Sequence, residues 1–330
     1  MDSASPDRLS TYCTCELYAR ATERAALGSA RFLGAGNQTG AEEAAFSGMR
    51  GAIEALPISG RVVIGVPDGT DRLAPGDEVG GGGEVVDLAL DPLEGRGVVA
   101  RGGQGAMSIV AVAGRGSMPV LPDMYMRQLA VGPRARGAVD LLRPVGENIE
   151  AIAEAFGRAV NDVTTIVLDR PRHHDLVADI RRSGARIKLI PDGTVTAAIS
   201  AAVRGTNDHL AIGIGGTRQA VMTAAALRCL GGEIQAQLWP TSRREIDVAR
   251  EHGIDDMERV FTTEDLAPGE IIFAATGVSD GDLLDGVRFL ADSARTHSLV
   301  MCTRCNWVRF VDGIHFFARE RREEVRLPGR

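Results

Sequence analysis

Two carboxylates stand close together on a short, stiff segment of the chain. Asp91 and Glu94 lie three residues apart in Asp-Pro-Leu-Glu-Gly (residues 91–95), directly after an apolar run. Proline presets the backbone, and glycine lets another molecule approach the main chain closely. Carboxylate oxygens suit Mg²⁺ or Mn²⁺, which proteins often share with a phosphate. The segment indicates a cation site beside a phosphate, although a plain exposed turn is the alternative interpretation.

A second segment offers positive charge. Arg170-Pro171-Arg172 presents two guanidinium groups from one rigid turn. Guanidinium groups bind phosphate through paired hydrogen bonds, so this turn suits phosphate capture. Taken without its surroundings, it is equally typical of a basic turn at the start of a helix.

Cysteines and histidines offer further ligand atoms. Five cysteines are present: Cys13, Cys15, Cys229, Cys302 and Cys305. Two close pairs make a four-thiolate zinc site conceivable. We favour reduced free thiols, because the pairs lie far apart in the sequence and no histidine stands near them at ligand spacing. We interpret five histidines as structural: His173, His174, His209, His297 and His315.

Bulk composition limits the partners of the chain. Its 330 residues carry a formal net charge of −7, with 44% hydrophobic and only 4% aromatic residues. The negative charge argues against nucleic acid or an anionic membrane as partner. No apolar run reaches the roughly 18 residues of a membrane span. The polar N-terminus has no secretory signal, so we expect a cytoplasmic protein.

The pattern of apolar residues predicts the elements that must hold these groups. Helices are predicted over 8–33, 41–56, 145–160, 174–183, 195–204 and 219–230. Strands are predicted over 61–65, 84–90, 106–113, 165–168, 186–190, 209–214 and 270–275, with a long loop over 67–83. Strands that alternate with helices indicate βαβ units and a parallel sheet. We reject a dinucleotide site at Gly213–Gly216, because Arg218 stands where the third glycine is needed.

A set of segments, taken in order, carries a resemblance to a known family. They are residues 85–95, 107–112, 122–126, 130–133, 168–173, 184–190, 213–216, 273–278, 280–284 and 296–301. Over about residues 15–316 the chain resembles the class II fructose-1,6-bisphosphatases, within the lithium-sensitive, metal-dependent sugar phosphatase superfamily. The resemblance implies a layered α/β/α fold with two lobes and mixed or parallel sheets. It also implies Mg²⁺- or Mn²⁺-dependent removal of the 1-phosphate, and a homodimer or homotetramer.

The resemblance also divides the chain and assigns a metal site. It implies an acidic metal lobe (1–142), a sugar-phosphate lobe (143–318) and a charged tail (319–330). The implied metal ligands are Glu42, Asp91 and Glu94. Two ligand positions of the family are lost, because Val66 and Gln219 replace glutamates.

Further positions follow from the same resemblance. Arg96 replaces the threonine that helps to activate water in the family, and Asp68 or Asp71 is a candidate to compensate in part for a lost carboxylate. We predict Arg96 and Asp68 as the catalytic residues. The predicted substrate-binding residues are Glu94, Gly95, Arg96, Tyr125, Arg170, Pro171, Arg172, Asp192, Gly193, Thr194 and Gly216.

These departures leave three hypotheses open. The chain is a divergent sugar-bisphosphate phosphatase with weakened or altered hydrolysis, or a non-hydrolytic sugar-phosphate-binding or regulatory paralogue. The third hypothesis is other sugar-phosphate chemistry, such as isomerisation or elimination, in a specialised pathway.

Overall fold

The computed structural model describes residues 13–65 and 73–317. The strands are β1 (Ile58–Ile64), β2 (Glu78–Val79), β3 (Glu84–Glu94), β4 (Met107–Gly114), β5 (Tyr125–Val131), β6 (Thr164–Leu168), β7 (Arg186–Ile190), β8 (Leu210–Gly216), β9 (Glu233–Leu238), β10 (Val260–Phe261), β11 (Ile271–Gly277), β12 (Arg288–Phe289), β13 (Ser293–Cys302) and β14 (Trp307–Phe316).

The other regular elements of the described residues are helices. The α-helices are α1 (Ala19–Ser29), α2 (Gln38–Glu54), α3 (Arg96–Arg101), α4 (Val145–Phe156), α5 (His174–Ser183), α6 (Thr194–Ala202), α7 (Thr217–Leu230), α8 (Arg243–Glu251) and α9 (Thr263–Leu266). Short 3-10 helices span Thr14–Tyr18, Ala30–Phe32, Val160–Asp162 and Pro171–His173.

The first sheet is mostly antiparallel. Its order is β12-β13-β11-β4-β3-β1-β2, with β14 also paired to β13. Among its described strands, only β1 and β3 run parallel to each other. Along β4, Ile109 and Ala111 face one side while Val110 and Val112 face the other, and all four are buried. The sheet is therefore covered on both faces, which explains its nearly continuous apolar strands.

The second sheet contains the predicted parallel unit. Its order is β10-β9-β5-β8-β6-β7. Strand β6 runs parallel to both β7 and β8. The predicted alternation of strand and helix is therefore confirmed from β6 to α7. The antiparallel strands β5, β9 and β10 complete the sheet.

The two sheets stack with helices in five layers. Helices α1 and α2 cover the outer face of the first sheet, α6 and α7 fill the space between the sheets, and α4 and α5 cover the second sheet. The predicted layered α/β fold with mixed sheets is confirmed. Among the described residues, no helix is long and apolar enough to cross a bilayer.

Several predicted elements differ from the structure. The described part of the predicted helix 8–33 is broken into a 3-10 helix, α1 and a second 3-10 helix. Strand β3 continues to Glu94, beyond the predicted end at residue 90. The first sheet combines β1–β4 with β11–β14, so the sheets draw strands from both sides of residue 142. The 142/143 boundary stays a prediction about the domains.

Candidate active site

The acidic segment lies at the end of β3, where a bulge places its two carboxylates. Asp91 pairs with Ile109 of β4, and Glu94 pairs with Met107, so β3 carries one extra residue. In a regular strand, residues three apart face opposite sides of the sheet. The extra residue restores Asp91 and Glu94 to one side, which lets both line the same cleft. Proline is tolerated at position 92 because the ladder is interrupted there.

Glu94 is bound by the beginning of α6. The Val195 N–H donates to its Oε1 (2.9 Å), and the Thr196 N–H (3.2 Å) and hydroxyl (2.7 Å) donate to its Oε2. A carboxylate at a helix N-terminus is stabilised by the unpaired amides and the helix dipole. Both oxygens of Glu94 are therefore already engaged.

Both carboxyls of the acidic segment are costly to ionise because they are buried. Burial raises the pKa of Glu94 to about 7, and the negative charge of Asp91 adds to this rise. Burial likewise raises the pKa of Asp91 to about 6, while the guanidinium of Arg218 acts in the opposite direction. A cationic group brought between them would be stabilised.

An ion pair stands beside the acidic segment. Helix α2, capped by the Asn37 side chain, carries Glu42, and Arg96 is the first residue of α3. The Arg96 Nη1 lies 3.2 Å from the Glu42 Oε2. Gly95 makes the turn before α3 with φ +92°, a conformation that favours glycine. The arginine that replaces the expected threonine thus pairs with a predicted metal ligand.

The opposite wall of the cleft carries the basic turn. Arg170 and Arg172 follow β6 and line the cleft with Tyr125, the first residue of β5. The Arg172 guanidinium lies over the Tyr125 ring, 4.9 Å from its centroid, and its Nη2 donates to the Ile214 carbonyl (3.0 Å). These contacts orient Arg172 and leave further N–H donors for a ligand.

The sugar-side residues occupy strand-to-helix junctions. Asp192 and Thr194 line the cleft where β7 leads into α6, and the Asp192 Oδ1 accepts the Gly193 N–H (3.0 Å). Gly193 has φ +95° and lines a neighbouring cavity instead. Gly216 and Gln219 line the cleft where β8 leads into α7.

One cleft of about 680 Å³ therefore brings together most of the predicted site residues. Those that line it are Glu42, Asp91, Glu94, Gly95, Arg96, Tyr125, Arg170, Arg172, Asp192, Thr194, Gly216 and Gln219. Pro171 and Gly193 do not line it. Asp68 and Val66 lie outside the described residues. What each residue does in the cleft stays a prediction.

Two charged residues of the cleft were missed by the sequence analysis. Arg218 donates from Nη1 to the Gly65 carbonyl (2.9 Å), and its Nε lies 3.5 Å from the Asp123 Oδ1. Both side chains line the cleft. The sequence showed Arg218 only as an interruption of a glycine motif, and Asp123 carried no signal of its own. The acidic end of the cleft thus holds two guanidinium groups.

Few acidic side chains of the cleft are positioned to coordinate the divalent cation that the acidic segment implies. Arg96 engages Glu42, and helix α6 engages Glu94. Within residues 13–65 and 73–317, no three acidic side chains of the cleft form a group that could hold an ion. The described acidic side chains by themselves therefore do not converge on one Mg²⁺ or Mn²⁺ ion.

Comparison with known proteins gives a consistent result. Residues 13–315 match the family model described as bacterial fructose-1,6-bisphosphatase, glpX-encoded. The chain is 41% identical over 326 residues to a D-fructose 1,6-bisphosphatase class 2/sedoheptulose 1,7-bisphosphatase of Synechococcus sp. (strain JA-3-3Ab), covering 89% of this chain and 92% of that relative. A relative with the same description from Microcystis aeruginosa (strain NIES-843 / IAM M-2473) is 39% identical over 332 residues, covering 92% and 96%.

Proposed function

The chain belongs to the bacterial, glpX-encoded class II fructose-1,6-bisphosphatase family, and from that premise we propose that it binds a sugar bisphosphate and hydrolyses the 1-phosphate only weakly. The family reaction is metal-dependent hydrolysis of sugar bisphosphates. The observation that carries the proposal is the ion pair of Arg96 with Glu42, in the same cleft as the basic turn.

The basic turn supports phosphate binding. Arg172 is oriented by Tyr125 and by the Ile214 carbonyl, so less side-chain freedom is lost when a phosphate binds. Arg170 lines the same wall, and its Nη1 donates a hydrogen bond to the Asp169 carbonyl (3.0 Å). Hydrogen bonds from guanidinium to phosphate are charge-assisted and stronger than neutral ones.

The acidic end supports weakened hydrolysis. A divalent cation in a phosphatase neutralises the phosphoryl oxygens and lowers the pKa of a bound water. In this chain Arg96 takes up the carboxylate of Glu42, and Gln219 supplies a neutral amide at a former ligand position. The arginine supplies positive charge for a phosphate but generates no hydroxide.

Parallel binding and turnover measurements test the proposal. We expect purified protein to bind fructose 1,6-bisphosphate or sedoheptulose 1,7-bisphosphate by calorimetry, and to release phosphate slowly with Mg²⁺ or Mn²⁺. Replacing Arg170 and Arg172 by alanine should abolish binding. Arg182→Ala is the matched control, because Arg182 is exposed on α5 and pairs with Asp179. Turnover within the ordinary enzyme range of about 1–10³ s⁻¹ would contradict weakened hydrolysis.

A restoring variant tests the assignment of the acidic end. We expect Val66→Glu, Arg96→Thr and Gln219→Glu together to raise hydrolysis. Arg136→Thr, which breaks a surface ion pair with Glu264, serves as the control. A triple variant that binds metal yet stays inert would show that our metal positions are wrong.

A non-hydrolytic sugar-phosphate-binding or regulatory protein is the second candidate. The Arg96–Glu42 pair favours it, because a guanidinium stands where family chemistry needs a cation site. Tight binding that a chelator leaves unchanged, with no phosphate release, would select this candidate.

The remaining expectations complete the proposal. They are a cytoplasmic location, a gluconeogenic substrate, Mg²⁺ or Mn²⁺ as the weakly held cation, and a homodimer or homotetramer. Light scattering after gel filtration measures the oligomeric state. A metal panel in the phosphate-release assay measures the ion preference.

A further inference from the structure

Four cysteines meet at a place remote from the cleft. Cys13 and Cys15 stand at the start of the 3-10 helix Thr14–Tyr18, and Cys302 ends β13. Cys305 lies in the turn that joins β13 to β14. We favoured reduced free thiols partly because the pairs lie far apart in the sequence, but Cys13 and Cys302, 289 positions apart, meet in the fold. The fold joins the first described residues to the last hairpin of the first sheet.

The spacing of the sulfurs matches one tetrahedral metal ion. All four Sγ atoms lie within 4.8 Å of one another. The Cys13–Cys302 Sγ distance is 3.8 Å and the Cys15–Cys305 Sγ distance is 3.9 Å. A zinc–sulfur bond of about 2.3 Å places the sulfurs of a tetrahedral site about 3.8 Å apart. A disulfide requires about 2.05 Å, and the four cysteines are free thiols here.

The hairpin turn is built to hold its two sulfurs. The Cys305 N–H donates to the Cys302 Sγ (3.4 Å), and Asn306 closes the turn with φ +51°. Thr303 fastens the turn to β11 twice, because its N–H donates to the Ile271 carbonyl (2.9 Å) and its hydroxyl accepts the Ile271 N–H (2.8 Å). These hydrogen bonds fix the backbone that carries the Cys-x-x-Cys half of the cluster.

Contacts with neighbouring charged side chains hold the segment of Cys13 and Cys15 in place. Glu16, between Cys15 and the end of the 3-10 helix, pairs with Arg309 of β14. The Thr14 hydroxyl donates to Glu84 (3.3 Å), which also pairs with Arg304 (3.0 Å). Arg304 lies between the two hairpin cysteines in sequence. Its guanidinium pairs with both Glu84 and Glu270, which ties the hairpin turn to the first residue of β3 and to the residue before β11.

We propose that Cys13, Cys15, Cys302 and Cys305 bind one structural zinc ion that fastens the N-terminal segment to the β13–β14 hairpin. Four protein ligands leave no open coordination position, which is typical of structural rather than catalytic zinc. None of the four cysteines lines the cleft. Zinc bound only by the folded chain stabilises it by mass action.

Metal content of the full chain is the first measurement. We expect protein produced in zinc-supplemented medium and purified without chelator to contain one zinc ion per chain by mass spectrometry. Cys13→Ser and Cys302→Ser should each reduce zinc to background. Cys229→Ser is the matched control, because Cys229 lies outside the four-sulfur group and should keep full occupancy.

Two readouts on the wild-type chain keep the test decisive if a cysteine variant fails to fold. Cobalt added to reduced, metal-free protein should give the intense visible bands of a tetrahedral thiolate site. A mercurial reagent should release the zinc as it titrates the four thiols. Metal-free wild type without cobalt bands, two native disulfides, iron in place of zinc, or equal zinc in Cys302→Ser would each overturn the proposal.

Discussion

His173 offers a sharp test of how the phosphate-binding wall is held. It is 1% exposed and follows the basic turn directly. Its Nδ1 lies 2.8 Å from the Leu168 carbonyl, and its Nε2 lies 2.8 Å from the Ile214 N–H. A carbonyl only accepts and an amide only donates, so the ring is neutral with its proton on Nδ1. The ring thus links the end of β6 to β8 behind the arginines.

Replacing His173 by phenylalanine keeps a ring but removes both bonds. A buried backbone group left without a partner costs about 1–3 kcal/mol, so the two together lower the free energy of unfolding by about 2–6 kcal/mol. Melting temperature falls by about 2–4 °C per kcal/mol for chains of comparable size. Urea unfolding at pH 7.5, followed by circular dichroism, measures the loss.

The pH dependence of stability separates this role from simple packing. Burial lowers the pKa of His173, and the charges of Arg172 and Arg170 act in the same direction. The neutral ring is therefore favoured by folding. The contribution of the neutral ring to the free energy of unfolding is complete above the ordinary histidine pKa of about 6.5. It is lost as the pH falls toward the lowered pKa of His173 in the folded protein. His209 and His315 shift in the same direction, so the informative quantity is the difference between wild type and variant.

The comparison needs a matched control. His174→Phe changes the next residue, which is exposed, and should leave stability nearly unchanged. We expect the gap between wild type and His173→Phe to be widest at pH 7.5 and to narrow by pH 5.5. A gap below 1 kcal/mol at pH 7.5, or one independent of pH, would refute the bridging role.

Three further substitutions test neighbouring contacts. Gly213→Ala should cost about 1–3 kcal/mol in unfolding free energy, because φ is +152° and a Cβ would lie 3.0 Å from the His173 ring. Thr196→Val should cost about 1–3 kcal/mol by the same assay, since its hydroxyl donates to the buried carboxyl of Glu94. Tyr125→Ala removes the ring beneath the arginine and should weaken sugar-phosphate binding by about 0.5–1 kcal/mol in calorimetry, with unfolding unchanged.

Local sequence pattern predicted the part of the fold whose contacts are local. The run from β6 to α7 follows the predicted order, and α5 and β7 match their predicted bounds. Strands β5, β9, β13 and β14 were missed. The antiparallel partners of β5, which are β8 and β9, lie far away in the chain, whereas β13 and β14 pair with each other as a hairpin. The periodicity of apolar residues carries no information about distant strand partners. The sequence therefore did not predict that each sheet would contain strands from both sides of residue 142.

The candidate site, like the fold, was predicted from the sequence only in part. The motif resemblance supplied residues on both walls of the cleft, but the pairing of Glu42 with Arg96 joins α2 to α3 across 54 positions. No local signal marks that contact. The cysteine pairs were discounted as one site because they lie far apart in the sequence. The fold nevertheless brings their four sulfurs within 4.8 Å of one another. Charge compensation and ligand clustering are properties of the fold and not of any one segment.

The state of Arg96 decides how the acidic end of the cleft works. Its side chain is 60% exposed and its partner Glu42 23% exposed, so the pair is worth only about 0–1 kcal/mol. A phosphate carries more charge than a carboxylate and forms stronger bonds with a guanidinium. Arg96 should therefore leave Glu42 for the second phosphate of a bisphosphate.

This reasoning predicts opposite effects for the two partners of the pair. Arg96→Met should weaken binding of fructose 1,6-bisphosphate by about 1.5–3 kcal/mol in chelator, and binding of a monophosphate much less. Glu42→Gln removes the competitor and should tighten bisphosphate binding up to about fivefold. Arg136→Met is the control for arginine loss on the surface. If Glu42→Gln instead weakened binding, and did so only with Mn²⁺ present, Glu42 would be serving a cation and Arg96 would not be the phosphate ligand.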